Sequence, residues 1–291
     1  MKKRAVYIVL LVIFLAVFLY CGYRLADYLI DSAQQKQKYN ALAEIVEQAR
    51  REAATTPPET QGTPDKNNES SDPAATEPAE RRVPVKDANT GETVYMLAEY
   101  APLYEMNSDM VGWLKIDGTG VNYPVMQTPN WKDYYLYVGF DDQYSTHGSL
   151  YAREECDVNT PSDNVTVYGH KMVDGSMFAE LHKYLKQEFW QEHRTFTFDT
   201  LFEHRTYEIV SVFRTTATYG QGFAYHEFVD AEDAEEFNMF VDTAKSLELY
   251  DTGVTAAYGD KLVCLSTCEF TRENGRLVVM AKLISEAEET G

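Results

Sequence analysis

Three side chains that could do chemistry together stand at the ends of predicted strands in this chain. Cys268 ends an apolar run, His170 follows another run in a turn begun by Gly169, and Arg276 opens the run after Cys268. A thiolate can attack a carbonyl carbon, an imidazole can transfer protons, and a guanidinium can stabilise an oxyanion. In combination, the three residue types predict acyl transfer at one rim of the fold.

The spacing imposes a condition on this hypothesis. Arg276 lies beside Cys268 only if the connection is a loop of about residues 269–275. A two-residue turn at Asn274 and Gly275 would instead pair Arg276 with Glu273. The longer loop is therefore the arrangement that we expect. Taken singly, each of the three side chains is more often structural than catalytic.

The remaining histidines lack a neighbouring nucleophile or a paired ligand pattern, and we interpret them as surface or structural residues: His147, His182, His193, His204 and His226. The chain contains no H-E-x-x-H or C-x-x-C spacing and no glycine-rich phosphate loop. The sequence therefore predicts neither a metal site nor a cofactor.

The charge of the chain is concentrated in its later part. The net charge is −20, and residues 93–291 hold 14 basic and 33 acidic side chains. Such a surplus of acid repels a phosphate backbone, so nucleic acid is not an expected partner. Aromatic residues make up 13% of the chain, which is typical of a folded domain with a core.

The N-terminus has the pattern of a membrane anchor. Lys2, Lys3 and Arg4 precede an uncharged apolar run at residues 5–23, long enough as a helix to cross a bilayer core, and Arg24 ends it. The run lacks the small-x-small site of a cleaved signal peptide. The cations before the run favour a cytoplasmic N-terminus, with everything downstream outside the cell.

Composition divides the chain into four parts. Residues 1–30 form the predicted transmembrane anchor with a short cytoplasmic tail, and residues 31–52 form a juxtamembrane helix. Residues 53–92, with six of the ten prolines, are predicted to be a flexible linker. Residues 93–291 are the predicted extracellular catalytic domain.

The catalytic domain is predicted to be mainly β with peripheral helices, because short strand-like runs recur between turn signals. The expected runs are 111–116, 121–126, 134–138, 149–152, 164–168, 195–198, 205–214, 261–267 and 276–284. Their spacing fits a barrel or a sandwich. Helices are expected at residues 176–185 and 230–249, the second capped by Asp230 and with an apolar stripe at Phe237, Phe240 and Val241.

Residues 168–172 (Tyr-Gly-His-Lys-Met) with 175–178, and residues 265–268 (Leu-Ser-Thr-Cys) with 274–279 (Asn-Gly-Arg-Leu-Val-Val), resemble the histidine and cysteine/arginine signatures of sortases, specifically class B. The resemblance covers about residues 94–284. It includes Gly-Trp-Leu at 112–114 and Gly-Ser-Leu-Tyr at 148–151. The helix at 230–249 resembles the long insertion of class B.

The resemblance implies a closed eight-stranded β-barrel and a membrane-tethered cysteine transpeptidase of a Gram-positive bacterium. Such an enzyme cleaves a C-terminal sorting signal at a Thr-Gly-like bond through a thioacyl intermediate. By similarity, Cys268 is the nucleophile, His170 the general acid/base, and Arg276 the oxyanion or substrate-binding residue. Ser266 and Thr267 are predicted to contact the substrate.

The implied partners are surface proteins bearing a sorting signal and the amine of a peptidoglycan precursor or cross-bridge. Two other functions remain open at this point. The chain could be a cell-wall cysteine peptidase that hydrolyses its acyl-enzyme with water. Alternatively, it could be a tethered adhesion module in which Cys268 and His170 are structural.

Overall fold

The N-terminal segment is helical. The computed structural model describes residues 2–55, 81–218 and 220–284, which divide into two units, residues 1–41 and 42–291. Helix α1 spans Lys2–Thr55, and this helix, near the N-terminus, is long and apolar enough to cross a membrane. Its composition is compatible with the predicted anchor. Residues 56–80 of the predicted linker lie outside the described residues.

The second unit consists of short strands with few helices. The helices after α1 are α2 (Ala101–Met106), α3 (Gln187–Glu192) and α4 (Ala234–Ser246), with 3₁₀ turns at Tyr134–Leu136 and Ala179–Leu185. The strands are β1 (Arg82–Lys86), β2 (Thr93–Leu97), β3 (Met110–Lys115), β4 (Asn122–Met126), β5 (Leu150–Ala152), β6 (Asn164–Tyr168), β7 (Thr195–Thr200), β8 (Thr206–Thr216), β9 (Leu262–Cys268) and β10 (Gly275–Ile284).

Strands β3 to β10 form a closed barrel in the order β10-β8-β7-β3-β4-β5-β6-β9. Most neighbours are antiparallel, but β4 pairs with β5 and β6 pairs with β9 in parallel. Closure leaves no barrel strand with an unpaired edge. The expected mainly-β, eight-stranded barrel is confirmed.

Part of the predicted linker is folded. Strand β1, at residues 82–86, pairs antiparallel with β2 from Arg82 opposite Leu97 to Lys86 opposite Thr93. Val85 is buried on this two-stranded sheet, and Pro84 is accommodated because β1 has only one neighbour. Folded structure therefore begins before Thr93, inside the range assigned to the linker.

Three local predictions were wrong. The helix expected at residues 176–185 is a 3₁₀ turn that begins only at Ala179, because Met177 has a left-handed backbone (φ 55°). Residues 134–138 are not a strand: Asp133 adopts a left-handed backbone (φ 54°), and a 3₁₀ turn follows at Tyr134–Leu136. Helix α4 is capped by Asp233 rather than Asp230, because the Asp233 carboxylate accepts the first free amides. Asp230 instead accepts the amide of Asp163 at 3.0 Å, just before β6.

The apolar stripe of α4 is part of the core, as predicted. Phe237, Phe240, Val241 and Ala244 are buried and pack in one cluster with side chains of β8, β9 and β10. These strands include the one that carries Cys268. The helix therefore supports the cysteine strand from behind.

A group of charged side chains lies on the barrel wall near the end of α1. His204 contacts Asp199 through Nδ1 (2.8 Å) and Glu99 through Nε2 (3.3 Å), while Arg50 Nε lies 3.4 Å from Glu99 Oε1. The hydrogen bonds to Asp199 and Glu99 raise the pKa of His204 to about 10. His204 is therefore protonated in the folded protein at neutral pH.

This ion-pair group predicts a loss of stability in mild alkali. Because the folded protein holds the His204 proton more tightly than the unfolded chain, the stabilisation is complete below pH 6.5 and disappears as the pH rises to about 10. Urea unfolding across this range should show a falling free energy of unfolding, and His204→Gln should flatten the fall. His226→Gln is the control. Burial lowers the pKa of His226, so this ring does not change its charge as the pH rises from 6.5 to about 10. An unchanged slope in His204→Gln contradicts the assignment.

Candidate active site

The register of β9 and β10 places Arg276 beside Cys268. The two residues are direct partners in the antiparallel pair, followed by Leu277 opposite Thr267. The connecting loop is closed by the amide of Glu269, which donates to the carbonyl of Gly275 at 2.9 Å. A Cβ at Gly275 would lie 2.3 Å from the Glu269 carbonyl oxygen, so this close approach requires glycine. The longer loop predicted from the sequence is confirmed.

The parallel pairing of β6 with β9 brings His170 to the same rim. Tyr168 is the partner of Ser266, and His170 and Cys268 each follow two residues later. Two hydrogen bonds extend the register: the Gly169 amide donates to Ser266 O (3.1 Å), and Thr267 Oγ1 donates to Gly169 O (2.8 Å). The turn that carries His170 is thus bound to the cysteine strand.

The His170 ring is oriented by a third segment of the chain. Its Nε2 lies 2.7 Å from the carbonyl oxygen of Leu136. A carbonyl only accepts, so Nε2 carries the hydrogen and the lone pair of the neutral ring is on Nδ1. Burial lowers the pKa of His170 below 6.5, which favours the neutral imidazole at pH 7.

The Arg276 guanidinium is held by main-chain oxygens of its own loop. Its Nη1 donates to Gly275 O at 3.0 Å and to Asn274 O at 3.4 Å. Asn274 itself has a left-handed backbone (φ 49°), which turns its carbonyl toward the arginine side of the loop. The loop therefore sets the direction of the guanidinium as well as its register.

The three residues line one open cleft of about 270 Å³. Cys268 is partly exposed there, whereas Cys156 and Cys264 are buried. Burial raises the pKa of Cys156 to about 11 and also raises the pKa of Cys264. At neutral pH both buried residues remain protonated thiols, which leaves Cys268 as the thiol that a substrate in the cleft can reach.

Ser266 and Thr267 also line the cleft, but their hydroxyls have partners within the fold. The Ser266 hydroxyl lies 2.5 Å from the hydroxyl of Tyr225, and the Thr267 hydroxyl donates to Gly169. Both side chains are buried. Their contacts support the walls of the cleft, and contact with a substrate stays a prediction.

The sequence did not identify several residues that surround the site. Arg153, Tyr225 and His226 line the cleft, and His182 Nε2 contacts the Cys268 carbonyl oxygen at 3.1 Å. The sequence alone predicts that His182 and His226 are surface or structural residues. The contact of His182 joins positions 86 residues apart, so no local spacing could have revealed it.

The model of the Sortase domain family matches residues 114–284, which is more than half of the chain. This chain belongs to the sortase family. A curated relative, sortase B of Listeria monocytogenes, is 32% identical over 190 residues, covering 65% of this chain and 75% of the relative. The match places this sortase in class B and makes it a cysteine transpeptidase.

Solved structures agree with this assignment. Sortase B from Bacillus anthracis in complex with AAEK1 has a TM-score of 0.65 and 28% identity, covering 88% of this chain and 99% of that one. A sortase B complexed with triglycine has a TM-score of 0.59 and 29% identity, covering 65% of this chain and 86% of that one. The closed barrel is thus the fold of this family.

The hydrogen bond from Thr267 to Gly169 O is predicted to hold His170 in its catalytic position. Thr267→Val keeps the side-chain shape but leaves the Gly169 carbonyl without its donor, which should cost about 1–3 kcal/mol of stability. The displaced imidazole should lower kcat by roughly 10- to 100-fold. Chemical denaturation and steady-state kinetics measure the two effects.

Thr243→Val is a matched control, because half-buried Thr243 makes a similar, solvent-exposed hydrogen bond to the carbonyl of Met239 (2.7 Å) away from the cleft. It should change neither quantity appreciably. A rise in KM at unchanged kcat in Thr267→Val would mean that Thr267 binds substrate rather than positioning His170.

Proposed function

We propose that this sortase cleaves a C-terminal sorting signal at a Thr-Gly-like bond and transfers the acyl group to a cell-wall amine. The observation that carries the proposal is the meeting of Cys268, His170 and Arg276 at one cleft through the pairing of β9 with β6 and β10. The sortase B complexed with triglycine supports an amine-bearing peptide as the acceptor.

In the first step, the Cys268 sulfur attacks the scissile carbonyl carbon. The thiol gives its proton to Nδ1 of the neutral His170 ring as the C–S bond forms, and His170 passes this proton to the amine that departs as the peptide C–N bond breaks. The Arg276 guanidinium, fixed by the Gly275 and Asn274 carbonyls, stabilises the negative oxygen of the tetrahedral intermediate. The product of this step is a thioester on Cys268.

In the second step, an amine attacks the thioester and Cys268 leaves. The resulting amide joins the surface protein to the acceptor. The partners under this proposal are a surface protein with a sorting signal and a peptidoglycan precursor or cross-bridge amine. The apolar part of α1 would anchor the enzyme to the membrane with the N-terminus in the cytoplasm and the barrel outside.

Removing the nucleophile tests the first step. Cys268→Ala should lower cleavage of a sorting-signal peptide by a factor on the order of 10⁴ or more, since no thioester can form. Cys156→Ser, which keeps a small buried donor facing Asn164 O, should retain cleavage. Adding triglycine to the wild type should give a ligated product, whereas an enzyme that releases only the hydrolysed peptide would be a peptidase.

Two substitutions test the role of Arg276: one removes its positive charge, and the other keeps the charge but changes the shape of the side chain. Arg276→Ala should lower kcat by roughly 10²- to 10³-fold, because an oxyanion donor is lost, and Arg276→Lys should recover part of the loss. Arg272→Ala removes an exposed arginine from the same loop and should have little effect. If all three variants match the wild type, Arg276 has no part in the reaction.

A further inference from the structure

Two exposed tyrosines form an aromatic row that ends at His170. The Tyr137 ring lies 5.5 Å from the His170 ring, and the Tyr144 ring stacks on Tyr137 at 6.5 Å with an interplanar angle of 19°. Tyr137 is 50% exposed and Tyr144 is 75% exposed. We call Tyr137 and Tyr144 the tyrosine pair. Exposed aromatic surface that continues an active site is a sign of a binding surface.

The backbone under the tyrosine pair is fixed by hydrogen bonds. Val138 and Tyr144 form a β-bridge, Gly139 N donates to Gln143 O (2.8 Å), and Ser145 N donates to Tyr137 O (2.9 Å). The same segment contacts His170 a second time, through the carbonyl of Leu136. The two rings therefore project from a closed hairpin whose position relative to His170 is set.

We propose that the tyrosine pair binds the ammonium group of the incoming acceptor and leads it to His170. This inference rests on the proposed transpeptidation and names the entry surface for its second substrate. The occupant is a primary amine at the end of a peptide branch of the cell wall. The faces of tyrosine rings carry negative charge and attract such a cation.

Charge favours entry over the tyrosine pair rather than through the cleft. Of the cations that line the cleft, Lys132 lies 4.0 Å from Glu154 and Arg153 lies 2.7 Å from Glu155. The Arg276 guanidinium donates to main-chain oxygens rather than to a carboxylate, so its positive charge faces an entering ammonium group. An ammonium group is repelled there, and the acylated peptide occupies the same space. The hairpin of the tyrosine pair instead carries Asp141 and Asp142. A positive acceptor therefore meets the more favourable potential on the tyrosine side of His170.

His170 accepts the proton that the ammonium group must lose before its nitrogen can attack. The ammonium gives one proton to the neutral imidazole, and the amine nitrogen then forms a C–N bond to the thioester carbon. As the C–S bond to Cys268 breaks, the nitrogen loses its second proton to water, and sulfur leaves as the thiolate. Burial lowers the pKa of His170, which keeps the ring neutral and able to accept the first proton.

The test compares Tyr144→Leu with Tyr144→Phe, using triglycine as the acceptor probe and water as the competing nucleophile. Tyr144 stacks on Tyr137, and it is Tyr137 that contacts His170. Changes at Tyr144 therefore test the binding of a cation to the ring face without removing a contact of His170. Tyr144→Leu should raise the KM for triglycine roughly fivefold and lower the ratio of ligated to hydrolysed product by the same factor. Tyr144→Phe keeps the ring and should stay near the wild type.

Tyr258→Leu, at a half-exposed tyrosine packed on Phe237, is the matched control and should not change the ratio of ligated to hydrolysed product.

The pH dependence separates cation binding from a structural effect. The α-amino group of a peptide has a pKa of about 8, so the difference between wild type and Tyr144→Leu should shrink above that pH. An equal ratio in both proteins at pH 7, a Phe variant as impaired as Leu, or a difference independent of pH would each overturn the inference.

Different results would refute the proposed function and the inference about the tyrosine pair. If wild-type enzyme forms no acyl-enzyme on Cys268, transpeptidation is wrong, and the entry surface is wrong with it. If the acyl-enzyme forms and triglycine is ligated, but Tyr144→Leu keeps the wild-type ratio at every pH, only the tyrosine inference is refuted.

Discussion

The whole site depends on the register of one strand, β9, against its two neighbours. The antiparallel pair with β10 places Arg276 opposite Cys268, and the parallel pair with β6 brings His170 alongside. A shift of one residue would turn every side chain of β9 to the other face of the sheet. Residues 262–267 of β9 are buried on both faces, and Leu262 and Cys264 pack in the cluster that contains α4. A shift would put the side chains of the other face against α4, and the resulting loss of close packing opposes it.

The remaining contacts refine what the register sets. Hydrogen bonds from Thr267 to Gly169 and from His170 to Leu136 fix the histidine turn and the ring within it. The carbonyls of Gly275 and Asn274 direct the guanidinium of Arg276. Each functional group is thus held by main-chain atoms of a rigid element, as a preorganised site requires. Long-range pairing supplies the positions, and short local bonds supply the orientations.

The sequence predicted much of this arrangement because the relevant signals were local. Gly169 before His170, the Leu-Ser-Thr-Cys run and the Asn-Gly-Arg turn each mark a strand end, and the apolar stripe of α4 repeats at helical spacing. The resemblance to sortases then supplied the closed barrel. What could not be predicted depends on contacts distant in the chain: the His182 bond to Cys268, the Leu136 bond to His170, and the pairing of Tyr225 with Ser266.

Two local patterns were ambiguous for physical reasons. The aromatic run at 134–138 is as apolar as a strand, and only the left-handed backbone at Asp133 turns it into a 3₁₀ segment. The choice of Asp233 over Asp230 as the α4 cap depends on the amide of Asp163, a tertiary partner of Asp230. The local preference of the residues for a strand, a helix or a cap decides the structure only where no tertiary contact competes with it.

The central claim is that the thiol of Cys268 carries the acyl group. Mass spectrometry of the wild-type protein quenched in acid during turnover of a sorting-signal peptide tests it most directly. We predict one thioester adduct with the mass of the N-terminal peptide fragment. Because residues 262–272 form one tryptic peptide that holds both Cys264 and Cys268, fragment ions of that peptide should place the adduct on Cys268, and the peptide with Cys156 should carry none. Cleavage without an adduct on Cys268, or with the adduct on another cysteine, would contradict it.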